Sequence, residues 1–66
     1  MSTFRCSAMP GLLARAVSAM SSAGISIPDM HLDESLDELV VIVAEGDAAR
    51  AVDVLSPIGF RRVADR

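Results

Sequence analysis

An α+β domain, two helices on one face of a four-stranded antiparallel sheet, is predicted by three features of this sequence. Apolar spacing changes along the chain from period two to helical, then to two strand-like runs, then to helical and strand-like again. Turn residues separate the runs: Met9-Pro10-Gly11, Gly24, Asp33-Glu34-Ser35, Gly46-Asp47 and Pro57-Ile58-Gly59. The run Leu39-Val40-Val41-Ile42-Val43 is apolar on both faces, as a central strand requires.

Each element follows from local chemistry. Residues 3–8 alternate, with Phe4, Cys6 and Ala8 on one side and Thr3, Arg5 and Ser7 on the other. Pro10 sits where a helix start tolerates proline. From Leu12 onward, Leu13, Ala16, Val17 and Met20 recur at helical spacing, and Gly24 supplies a stop. Residues 25–32 read as a second strand, placed at a sheet edge or bulged there because Pro28 has no N–H to give a ladder. Residues 33–37 form a polar hairpin loop in which Leu36 has no evident role. Residues 38–44 form the central strand. Asp47 is placed to cap a helix over residues 48–55, with Ala48, Ala51, Val52 and Leu55 inward; Pro57 and Gly59 end it. Residues 60–63 make a short last strand with poor alternation. The order strand-helix-strand-strand-helix-strand is the split βαβ, or ferredoxin-like, plan. Right-handed crossovers then give the spatial order 4-1-3-2, with the proline-bearing strand at an edge.

Composition narrows the function. Sixty-six residues make a single domain, residues 1–66. A chain this short buries only about 60% of its unfolded surface and usually needs a staple, a metal or a partner. Cys6 is the sole cysteine, so no disulfide forms within the chain. Cys6 and the sole histidine, His31, cannot supply the four N or S ligands of a structural zinc site. Oligomerisation or docking on a larger protein is left as the source of extra stability. The net charge is −3, and Lys, Tyr and Trp are absent. That argues against nucleic acid, which needs clustered cations and aromatic platforms. Arg61 and Arg62 are the only adjacent basic pair. No run approaches the roughly 20 apolar residues of a membrane span, and residues 1–5 hold no apolar signal core. A reducing cytoplasm is the expected compartment.

Met9-Pro10-Gly11-Leu12-Leu13-Ala14-Arg15-Ala16-Val17, followed by Ala23-Gly24-Ile25-Ser26-Ile27, resembles the ACT regulatory domain. That family typically reads Asp-x-Pro-Gly-Leu-Leu-Ala, a helix, then Ala-Gly-Ile-Asn-Ile. The later residues Val40-Val41-Ile42-Val43 and Asp47-Ala48-Ala49-Arg50-Ala51-Val52 are similar to the second half of ACT domains in aspartokinases. The resemblance implies side-by-side pairing of copies and an amino-acid effector bound near the pairing seam. It also implies control of an attached or associated enzyme of amino-acid metabolism, with no cofactor. The binding residues it implies are Met9, Pro10, Gly11, Leu12, Leu13, Ser26 and Asp29. The physical basis is that a helix start offers free N–H groups and the positive end of its dipole, on which a carboxylate can sit. Ala8 stands where the family commonly has Asp or Asn, and Ser26 where Asn is common. The serine- and threonine-rich stretch after the second strand of aspartokinases is replaced here by Met30-His31-Leu32-Asp33-Glu34.

Other residues read more plainly. Cys6 is expected as a small buried hydrophobe, the rival being a nucleophile paired with His31. The acidic cluster Asp33, Glu34, Asp37 and Glu38 lacks the spacing of an EF-hand loop and reads as a solvated hairpin. Some of the apolar residues of the central strand must face the open side of the sheet, which is expected to mark a partner surface. Two functions remain: a metabolite-sensing regulatory domain, and an interaction module with no ligand. No nucleophile-base-orienter set points to an independent enzyme.

Overall fold

The computed structural model describes residues 1–63. Strand β1 (Ser2–Ser7) is followed by helix α1 (Leu12–Ser22), strands β2 (Asp29–Asp33) and β3 (Glu38–Val43), helix α2 (Ala48–Leu55) and strand β4 (Arg61–Val63). One-turn 3-10 helices, Glu45–Asp47 and Ser56–Ile58, flank α2. The strands form one antiparallel sheet in the order β2-β3-β1-β4, the ferredoxin-like arrangement that the element order predicts.

The second strand is shorter than expected and begins at Asp29 rather than Ile25. Two features delay it. The N–H of Ile25 donates to the Met20 carbonyl at 2.9 Å and that of Gly24 to Ser21 at 3.0 Å, so these residues finish α1. Pro28 then has no donor to give, and the ladder starts just after it. Asp33 closes the hairpin: its Oδ1 accepts from the Ser35 N–H, the Leu36 N–H and the Ser35 hydroxyl. Leu36 stands 61% exposed in that turn. Asp47 precedes α2 as expected, but its carboxylate binds Arg50 Nη2 at 2.7 Å instead of capping the helix.

The core lies between the helices and one face of the sheet. Phe4 and Cys6 of β1 meet Leu39, Val41 and Val43 of β3, with Ala16 and Met20 of α1, Ala51 and Leu55 of α2, and Phe60. Small residues at Ala16 and Ala51, both fully buried, let the helices lie close to the sheet. The buried stripe of α1 is Leu12, Ala16 and Met20, not the stripe through Leu13 and Val17. Leu13 and Val17 are 55% and 44% exposed. Leu12, whose N–H meets the Met9 carbonyl at 3.1 Å, is 2% exposed and packs into the core.

The opposite face of the sheet has no helix over it. Register places Arg5, Val40 and His31 side by side there, with Asp29, Asp33, Glu38, Ile42 and Arg61. Two apolar residues of β3, Val40 and Ile42, do face this side, as expected, joined by Val63 of β4 beside Thr3, but they make no broad apolar patch. Val40 is only 2% exposed, flanked by the longer side chains of Arg5 and His31. Ions finish the surface: Arg5 Nη1 donates to Asp33 at 2.9 Å and to Glu38 at 3.3 Å, and Arg61 Nη2 donates to Glu38 at 2.7 Å. The exposed large apolar residues stand elsewhere, at Met1, Met9, Leu13, Val17, Leu32 and Leu36.

Candidate functional site

The loop from β1 to α1 is held at both ends. The Ala8 N–H donates to the Asp37 carbonyl at 2.9 Å, which ties the loop to the β2-β3 hairpin. The Met9 carbonyl accepts from Leu12, and the first α-helical bond runs from the Arg15 N–H to the Gly11 carbonyl at 3.1 Å. Gly11 sits between them at φ +80°, a left-handed conformation that any β-carbon would strain. A β-carbon there would meet no atom within 4 Å, so the glycine is required by backbone angle and not by crowding.

This arrangement divides the amides of the first turn. The sequence suggests that the Gly11, Leu12 and Leu13 amides together receive an anion. Leu12 is already engaged with Met9. Among the described residues, no backbone acceptor meets the N–H of Gly11, Leu13 or Ala14. Those three donors remain at the positive end of an 11-residue helix dipole.

Beside the loop lies a cleft of about 230 Å³ lined by Ala8, Met9, Leu12, Leu13, Leu32 and Leu39. Leu12 and Leu39 are buried and form its floor; Met9, Leu13 and Leu32 are half-exposed and form its rim. The cleft exists because the hairpin register sets Leu32 directly opposite Leu39, both on the helix face. Three of the residues expected at a binding site, Met9, Leu12 and Leu13, therefore line one cavity. Pro10 and Gly11 are exposed in the loop that shapes its mouth. Ser26 and Asp29 are not brought to it within one chain. Ser26 is exposed between Gly24 and Pro28. Asp29 lies opposite Ile42, three ladder positions from Leu32, with its carboxylate 3.1 Å from His31 Nδ1. Leu32 and Leu39 were not singled out as site residues, since each reads as an ordinary strand leucine; Ala8 entered only as a departure from a pattern.

The electrostatics of the hairpin belong to the other face. Hydrogen bonds from Ser35 and Arg5 hold the Asp33 carboxyl down at about 2. Arg61 and Arg5 lower that of Glu38. Both carboxylates are thus ionised and occupied. Cys6 is buried beneath the helices while His31 stands exposed on the open face, so the two are not brought together. Among the described residues no group of three His, Cys, Asp or Glu side chains is placed to hold a metal ion. No helix among them is long and apolar enough to cross a membrane. Comparison with protein-family models, with curated proteins and with solved structures gives no match to this chain.

Proposed function

We propose that this chain is an ACT-like regulatory domain that binds an amino acid or a similar small carboxylate at the loop of residues 9–13. The observation that carries this reading is an apolar cleft lined by Met9, Leu12 and Leu13 beside the first turn of α1, where the Gly11, Leu13 and Ala14 amides have no backbone acceptor. The amides receive the carboxylate and the leucines receive the aliphatic body. The exposed apolar side chains of Met9, Leu13, Val17 and Leu32 support pairing with a second copy beside the cleft. A ligand held at such a seam favours one arrangement of the two copies over another, and so controls an attached or associated enzyme of amino-acid metabolism. The role is regulatory rather than catalytic, supported by the separation of Cys6 from His31 on opposite faces. A lone buried thiol suits a reducing cytoplasm.

The test is a titration with the proteinogenic amino acids and their deaminated analogues, followed by amide NMR. Binding shifts the Gly11 and Leu13 signals most. Gly11→Asp places a carboxylate where the ligand's would sit, at a backbone angle that Asp tolerates better than most residues. It is expected to abolish those shifts while the protein stays folded. If no compound moves these amides, the ligand-sensing reading fails.

A second reading is an interaction module that binds no metabolite. Ala8 favours it, because its side chain offers a ligand no hydrogen bond. Under that reading the apolar rim serves only pairing, and Gly11→Asp leaves the oligomer mass unchanged.

A further inference from the structure

The Leu36 side chain has no place in the core of its own chain. It stands exposed in the β2-β3 turn, where Asp33 fixes the backbone through the Ser35 and Leu36 N–H groups. The bond from Ala8 to Asp37 holds that turn against the loop before α1. A fixed apolar knob thus stands next to a hole, the cleft of about 230 Å³ lined by apolar side chains alone. Leu36 is not among the residues that line its own cleft. A cavity of about 150 Å³ already admits a benzene-sized group, so a leucine side chain fits this one.

We propose that the occupant of the cleft is Leu36 of a second copy, and that two copies exchange these leucines about a two-fold axis. Knob and hole lie on one patch, so a single two-fold operation fills both clefts at once. The area agrees. Met9, Leu13, Val17, Leu32 and Leu36 are each about half-exposed. Together such side chains present on the order of 500 Å² of apolar surface, the scale of a functional patch rather than of scattered residues. A standard interface buries about 800 Å² per partner, roughly 60% of it apolar, and this flank supplies that share. Glu34 and Asp37 flank the leucine and are exposed. In the pair they stay at the solvated rim, near an α1 start that has no acidic residue in its first turn and carries the positive end of the dipole. The turn is already ordered by Asp33, so pairing removes little conformational freedom from it. The proposal goes beyond the ligand-sensing reading and stands without a metabolite. A ligand that enters the cleft displaces Leu36 and thereby alters the pairing.

The experiment follows the mass of the full 66-residue chain against concentration by sedimentation. Leu36→Ser removes the knob from an exposed position, and Ala8→Leu fills the hole. Each homodimer then loses both exchanged contacts and should pair about 100-fold more weakly, at about tenfold per leucine. A mixture of the two variants retains one knob and one open hole, so the mixed pair should lose only about tenfold and form in preference to either homodimer. Circular dichroism checks that each variant is folded. If Ala8→Leu is not, isotope-filtered contacts between the Leu36 methyls of a labelled copy and Leu12 or Leu39 of an unlabelled copy carry the test, and their absence overturns the exchange. It is overturned equally by Leu36→Ser pairing as tightly as wild type, or by a mixture of folded variants no tighter than each alone. A wild-type chain that stays monomeric leaves the flank to a different protein and also overturns it. Metabolite binding is read separately, through the Gly11 and Leu13 amides, and does not fall with this proposal.

Discussion

Gly59 follows the one-turn 3-10 helix after α2 at φ +122°, and its N–H and that of Phe60 both return to the Leu55 carbonyl. These bonds close α2 and turn Phe60 into the core, where it is 4% exposed. A β-carbon at Gly59 would stand 3.3 Å from Cys6 Sγ, and Cys6 is itself buried under the helices. Gly59→Ala therefore meets two penalties, a backbone one and a packing one, and should cost about 2–3 kcal/mol. Gly11→Ala meets only the backbone penalty, about 1 kcal/mol. Urea unfolding measures both. Combining Gly59→Ala with Cys6→Ala removes the sulfur and should return part of the cost, so the two changes are non-additive. Strict additivity would show that the sulfur does not resist the methyl group.

At the level of elements, the open face of the sheet carries a pH dependence. Asp33, held at about 2, and Glu38, also lowered, bind Arg5 across three strands. Carboxyl groups depressed in the folded state stabilise it while they are ionised. That contribution is complete above the unfolded carboxylate range near about 4, and it is lost as the pH falls from there through about 2. Arg5→Gln should lower the melting temperature at neutral pH and flatten this acid limb, which thermal melts between neutral pH and acid would record. An unchanged acid limb in the variant would remove Arg5 from the account. The sheet order was legible because the element order gives the split βαβ plan and residues 39–43 are apolar on both faces, as a central strand requires; Pro28 pointed to the right edge although it stands just before the strand. The phase of α1 was not, because stripes through Leu12 or through Leu13 are equally apolar. The stripe that packs is the one carrying Leu12, Ala16 and Met20 onto the sheet, which only tertiary contact decides. The cleft was half legible: the loop announced itself, but its far wall arises from Leu32 meeting Leu39 across a hairpin, a pairing that neither residue signals alone.

For the whole molecule, the surface is divided between a sheet face finished by ions and a flank left apolar at Met9, Leu13, Val17 and Leu32. A 66-residue chain with so small a core gains most from covering that flank. Leu13→Glu combined with Val17→Glu changes only half-exposed side chains, so the fold should keep its stability within about 0.5 kcal/mol per site. Sedimentation should show the wild-type chain as a dimer at tens of micromolar and the double variant as a monomer; a wild-type monomer at that concentration defeats the pairing. A last consequence concerns time. Strand β1 is the first made, yet both its neighbours, β3 and β4, come later in the chain, and Thr3 pairs with Val63. The β1–β3 ladder can form once synthesis has passed Val43, but the β1–β4 ladder must wait for Val63, so the sheet is completed by its most distant contacts instead of advancing with the chain.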